Sequence, residues 1–215
     1  MKPFNRKEQI AALHRENILT AAEALFLEKG VTSTTIDDIS KAAKYSRRTI
    51  YAYFDSKEDI LYHIICKGLT ILRDEISEIL RQNHGFMEGY WAVCHAMERY
   101  HLDSPQSADS VNIMKYGDID VNTLPQTALD IFALGTEINE LLARFIEEGQ
   151  QQGVVRAAIE PMKTVYIMWS GISALLSLVQ NQGTFLEQEF STSQQAFWEY
   201  GYKQIINSIL EERII

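Results

Sequence analysis

The sequence predicts an all-α protein, and three observations carry that expectation. Apolar residues recur three and four apart along almost the whole chain, whereas strict apolar–polar alternation, the mark of a half-buried strand, never persists. Only four of the 215 residues are proline, and Pro105, Pro125 and Pro161 (unlike Pro3) fall where helical patterns break or begin. Thr, Ser or Asp followed by an acidic side chain stands ahead of several apolar runs, as at capped helix starts. No fixed-period repeat or low-complexity tract interrupts the pattern.

The first helix is expected from Asn5, with Glu8 three residues on, to Lys29, and is stopped by Gly30. Ile18, Ala22, Leu25 and Phe26 share its apolar face. Thr35 caps a short second helix, Asp38 reaches back to it, and Ile39, Ala42 and Ala43 continue the buried side. Ser46 caps a third helix, Arg47 to Phe54, with Ile50 and Phe54 inward. Asp55-Ser56-Lys57-Glu58 reads as another capping box, opening a long helix towards Arg81.

Further helices are expected near 86–102, 105–115, 125–152, 161–181 and 190–212, with loops at Gly85, Asp103-Ser104, Asn122 and Gly153. Residues 164–186 carry no formal charge, long enough to raise a membrane span. Ser170, Ser173, Ser177, Gln180, Asn181 and Gln182 interrupt that stretch, so a helix buried on most sides is the expectation.

Hydrophobic residues at 46% and charged residues at 23% exclude a disordered chain. Two cysteines exclude a disulfide framework, and the first residues lack an apolar signal core, so a cytoplasmic protein is expected. The net charge of −9 argues against nucleic acid only until it is located. Residues 1–60 carry 10 Lys+Arg against 9 Asp+Glu; the remainder carries 10 against 20. Lys41, Lys44, Arg47, Arg48 and Lys57 crowd into 17 positions. Local charge decides what a surface meets, so the sequence divides into a reading head, 1–55, and an acidic helical part, 56–215.

Two short helices joined by a tight turn, with cations opening the second, are the sequence form of a helix-turn-helix. The second helix must enter a major groove by its N-terminal end, where Ser46, Arg47, Arg48 and Thr49 stand. Arg bonds guanine bidentately, and Ser and Thr reach bases or phosphate. Backbone N–H groups near Thr35 and Ser46 suit phosphate oxygens. Tyr51 and Tyr53 add flanking hydroxyls, Ala52 offers a methyl or merely room, and Lys57 stands where a DNA backbone passes. Arg47 and Arg48 are equal claimants to a base, and Tyr53 has packing beneath the head as its alternative.

The run RENILTAAEALFLEKGVTSTTIDDISKAAKYSRRTIYAYFDSKEDIL, Arg15 to Leu61, resembles the DNA-binding region of the TetR family of transcriptional regulators. The Thr-Thr before helix two, the Ser before helix three and the Tyr-x-Tyr-Phe-x-Ser-Lys-Glu ending carry the likeness. It implies a three-helix reading unit, a larger helical effector domain, and a homodimer built mainly from the last two helices. It also implies that effector binding changes the spacing of the two recognition helices. Where the family commonly has Ala-Gly-Val-Ser at the turn, this chain has Ala43-Lys44-Tyr45-Ser46. A left-handed residue other than glycine costs about 1 kcal/mol or more, so the expectation is strain, a phosphate contact by Lys44, or a different turn.

In the second part, Trp91, His95, Glu98, Met114, Tyr116, Phe132, Phe145, Met168 and Trp169 are candidates for an effector pocket, each with ordinary core as the alternative. Ser170, Ala174 and Ser177 form a small-residue stripe; with Phe197, Trp198, Gly201, Tyr202, Ile205 and Ile209 they are candidates for a subunit interface, with burial inside the monomer as the alternative that periodicity does not separate. Cys94, His95, Glu98 and His101 have metal-like spacing, but an apolar helix face through Tyr90, Trp91, Cys94 and Met97 accounts for them better, so no metal or cofactor is expected. There is no Gly-rich phosphate loop, GxSxG or HExxH, and an enzyme is not expected. The leading expectation is a dimeric repressor of a palindromic DNA operator, answering to a small-molecule effector; a protein-recruiting adaptor and a metal-responsive regulator stand behind it.

Overall fold

The computed structural model describes residues 6–82, 85–103 and 124–212. Among these residues it is all-α, with helices α1 (Arg6–Lys29), α2 (Ile36–Ala43), α3 (Arg47–Tyr51), α4 (Lys57–Arg81), α5 (Phe86–Asp103), α6 (Gln126–Gln151), α7 (Pro161–Phe190) and α8 (Gln194–Asn207). The predicted helix 105–115 and the proposed opening at Asn5 lie outside the described residues. Two compact units result: one takes the chain to Leu69 and the start of α6 through Phe132; the other takes Thr70–Asp103 and everything from Ala133 on.

The first unit is built on one apolar cluster. Ile18, Ala22 and Phe26 stand four apart on α1 and close over Ile39 of α2, Ile50 of α3, Phe54, and Ile60 and Ile64 of α4. Each is nearly inaccessible, and a fully buried Ile or Phe side chain contributes about 1.5–3 kcal/mol. Gly30 ends α1 at φ +80°, a conformation that costs glycine nothing. The buried Thr34 hydroxyl donates back to the Gly30 carbonyl at 2.8 Å. Helix α3 is shorter than expected: Tyr53 and Phe54 leave it, yet both amides still bond the Ile50 carbonyl at 3.0 Å. Ser56 caps α4 by accepting from Asp59 N (3.0 Å), while the Asp59 carboxylate accepts from Asp55 N (3.1 Å), one residue off the expected box.

In the second unit α7 packs along α8, and α5 packs on α7. Pro161 opens α7 in its first turn, where its missing N–H costs nothing. The predicted helix 161–181 breaks near its expected end: Gln182 leaves helical geometry at φ −129°, beside Gly183, and the helix then continues to Phe190. A Cβ on Gly183 would meet the Gln194 side chain at 2.6 Å, so this glycine admits the start of α8. Helix α8 begins later than expected, capped by Ser193, which accepts from Ala196 N (3.1 Å). It ends at Asn207; the following residues clasp the loop after α6, with Arg156 N on the Ile209 carbonyl (3.0 Å) and Glu211 N on the Val154 carbonyl (2.9 Å). Although α7 is long and apolar enough to cross a membrane, Val165, Trp169, Ile172, Leu176 and Val179 recur on a buried stripe of a packed unit.

Candidate nucleic-acid interface and ligand cavity

The N-terminus of α2 is fixed by a reciprocal box. Thr35 Oγ1 accepts from Asp38 N (3.2 Å), and Asp38 Oδ2 accepts from Thr35 N (3.0 Å). Lys29 Nζ donates to the same carboxylate at 2.7 Å. The ammonium, followed by the Thr35 hydroxyl and amide, holds the Asp38 carboxyl well below the usual carboxylate range.

Between α2 and α3, Lys44 adopts the left-handed conformation, φ 59° and ψ 36°. The turn therefore keeps the shape a glycine would give it, and lysine bears the strain. Tyr45 N bonds the Ser40 carbonyl at 3.0 Å, closing the corner. The Tyr45 side chain packs on the first unit's core and accepts from Asn17 Nδ2 at 3.2 Å. Ser46 then caps α3, accepting from Thr49 N (3.1 Å), and its hydroxyl shares a 2.9 Å hydrogen bond with that of Thr49.

The two arginines, equivalent in sequence, differ in their surroundings. Arg47 is ion-paired with Asp37 on α2. Arg48, Lys44 and Lys41 are exposed and make no ion pair among the described residues. Tyr51 is exposed, as is Ala52. Tyr53 turns towards α1, with its hydroxyl 3.0 Å from His14 Nδ1 and the Arg15 guanidinium 6.0 Å from its ring centroid. Lys57 Nζ donates to the carbonyls of Val31 (2.7 Å) and Thr34 (2.9 Å), so this cation ties the α1–α2 loop to the start of α4. Asp37, His14 and Asn17 shape the site without having been singled out by sequence; only an acidic residue inside a cationic stretch hinted at Asp37.

A cavity of about 40 Å³ lies within the second unit. It is lined by Phe86, Tyr90, Val93 and Met97 of α5, Leu142, Phe145 and Ile146 of α6, Val165, Met168, Trp169 and Ile172 of α7, and Ile206 and Ile209 at the chain end. Phe86 and Phe145 stack with centroids 4.6 Å apart and planes 13° from parallel. Glycines make room: a Cβ on Gly149 would come within 2.6 Å of Phe86, and one on Gly89 within 3.0 Å of Phe145.

Of the residues expected at an effector pocket, Phe145, Met168 and Trp169 line this cavity. Trp91, His95 and Glu98 do not: the two rings lie 6.2 and 6.5 Å from Tyr202, and His95 Nδ1 is 3.4 Å from Glu98 Oε2. Phe132 belongs to the first unit, and Met114 and Tyr116 lie outside the described residues. The remaining lining residues carried no sequence signal beyond that of ordinary core. Among the described residues no three His, Cys, Asp or Glu side chains converge on a metal position. Burial pushes the Cys94 thiol up to about 12 and the Cys66 thiol up to about 11, far from a reactive thiolate.

Of the residues expected at a subunit interface, Ser170 and Ala174 are exposed on α7, and Ser177, Phe197, Gly201 and Ile205 are half-buried. Trp198, Tyr202 and Ile209 instead are buried in their own unit: α8 packs along α7, and Tyr202 meets α5, its carbonyl accepting from the Tyr90 hydroxyl. Ile167, 73% exposed, extends the α7 surface, and Leu175 fills the notch at Gly201, where a Cβ would come within 2.9 Å of Leu175 Cδ1.

Residues 18–64 match the family model of bacterial regulatory proteins, tetR family. The chain is 38% identical over 86 residues to the HTH-type transcriptional regulator HbdR of Aromatoleum sp. (strain CIB), covering 40% of this chain and 36% of HbdR. It is 26% identical over 163 residues to the HTH-type transcriptional repressor KstR2 of Rhodococcus jostii (strain RHA1), covering 68% of this chain and 70% of that one. The match to HbdR thus spans little more than a third of that relative. In fold the chain is similar to the SmeT–triclosan complex, with a TM-score of 0.66, 17% identity, and coverage of 94% of this chain and 95% of that one. Residues 18–64 thus form a reading head of the tetR family of bacterial regulatory proteins.

Proposed function

We propose that the protein is a ligand-responsive transcriptional repressor that works in the cytoplasm as a homodimer on a palindromic operator. One observation carries the reading: a doubly capped helix-turn-helix presents Arg48, Lys44 and Lys41, without an ion pair among the described residues, about the turn into α3, beside the paired Arg47. Residues 1–55 are the head that reads DNA, and 56–215 the part that binds the effector and dimerises. Thr35, Lys44, Ser46, Arg47, Arg48, Thr49 and Tyr51 face the duplex. Tyr53 and Lys57 act from behind, through His14 and the α1–α2 loop. The exposed α7 stripe through Ile167, Ser170 and Ala174, with Phe197, Gly201 and Ile205 of α8, meets its copy in a second chain. Here α7 serves as core and interface, not as a membrane anchor.

The test is operator binding by fluorescence anisotropy, using fragments from upstream of the protein's own gene and a random duplex of equal length. Wild type is expected to prefer one fragment by about a thousandfold. Arg47→Ala with Arg48→Ala should leave a folded protein with that preference largely gone. Equal affinity of wild type for all duplexes, or full preference in the double variant, overturns the reading. Affinity should also fall steeply between roughly 50 and 200 mM salt as phosphate counterions are released.

A further inference from the structure

The cavity of the second unit carries the effector reading to a chemical class. Among the described residues its lining includes no Asp, Glu, Lys, Arg or His. The hydroxyl of Tyr90 is already engaged, donating to the Tyr202 carbonyl at 2.7 Å. A cavity of about 40 Å³ exceeds the roughly 15 Å³ that admits a water molecule, but water also needs two to four polar partners, which these walls do not offer. An ion fares worse, since a charge moved there loses its hydration and gains no counter-charge. An apolar molecule loses nothing and gains the aromatic faces of Phe86, Phe145 and Trp169. The space must widen to admit a ring, because an engineered apolar cavity of about 150 Å³ is what holds benzene. Met97 and Met168, unbranched and flexible, are the walls that can give way.

We propose that this cavity binds an uncharged, apolar, ring-sized molecule and rejects carboxylate and ammonium molecules of the same shape. The proposal rests on the effector reading above, and its test separates the two. Calorimetry on the full chain without DNA would compare toluene, benzoate and benzylammonium, three probes of one shape and three charges. Toluene is expected to bind at least about tenfold more tightly than either ion. No heat from toluene up to its solubility limit, or an ion within about threefold of it, overturns the proposal. Filling the space from two helices, by Met97→Trp and separately by Ile172→Phe, should abolish toluene binding. Full affinity in either variant, where it still unfolds cooperatively, also overturns it. Operator affinity is measured beside this: toluene that binds without changing operator affinity leaves the ligand class standing and sinks the regulatory reading. Benzoate that shifts operator affinity while toluene is silent does the reverse.

Discussion

Lys44 is the residue at which the reading head departs from a relaxed turn. Its φ of 59° places a Cβ where glycine has none. Lys44→Gly should therefore stabilise the protein by about 1 kcal/mol in urea unfolding, while weakening DNA binding through loss of an unpaired cation. A stabilised variant with unchanged salt dependence of DNA binding would leave the lysine without a role in the complex. Asp38 supplies a pH dependence of definite sign. Its folded pKa is depressed, so its contribution is present above the unfolded value of 3.8 and is lost as pH falls below it. Unfolding midpoints followed from roughly pH 6 down to pH 2 should fall below about pH 4, and Asp38→Asn should flatten that fall. An identical acid limb in the variant would remove Asp38 from the account. The Thr35–Asp38 box was legible because four consecutive residues contain the whole interaction. The Arg47–Asp37 pair was not, because it joins two helices whose relative placement only the folded turn defines.

Among the elements, α6 shows how a small residue can govern a distant wall. Gly149 lies against Phe86, which stacks on Phe145 at the cavity. Gly149→Ala gains helix propensity but drives a methyl into that ring and into Val155; the expected net effect is a loss of about 1–3 kcal/mol in thermal or urea unfolding. A neutral or stabilising result would mean that the stack yields freely. The helix order was readable from periodicity and prolines almost throughout, because both are local. Two ends were misplaced for non-local reasons. Helix α7 runs past its break at Gln182 since Gly183 lets α8 approach, and α8 stops at Asn207 since the next residues bond to the 150s loop. Which apolar residues line a cavity and which merely fill space was illegible, since the two uses share one pattern and differ only in how four chain segments meet.

For the whole molecule, the count of −9 conceals a division of labour between a near-neutral head and a strongly acidic remainder. Assembly is the property to test at this scale. Ala174→Glu puts a charge in the middle of the exposed α7 stripe without touching the buried one. If the chain dimerises through this stripe as proposed, the variant should be monomeric in light scattering and bind operator at least about tenfold more weakly, because two half-sites would then be bound independently. A variant that stays dimeric would move the interface elsewhere. The clasp at the chain's end has a kinetic consequence. Ile209 lines the cavity, and the backbone on either side of it is held by only a few hydrogen bonds to Val154 and Arg156. Local openings of a segment held by few hydrogen bonds lie far below global unfolding in free energy. If the cavity holds a molecule as proposed, its exchange would follow local opening of this clasp, so dwell time and fold stability could be tuned separately.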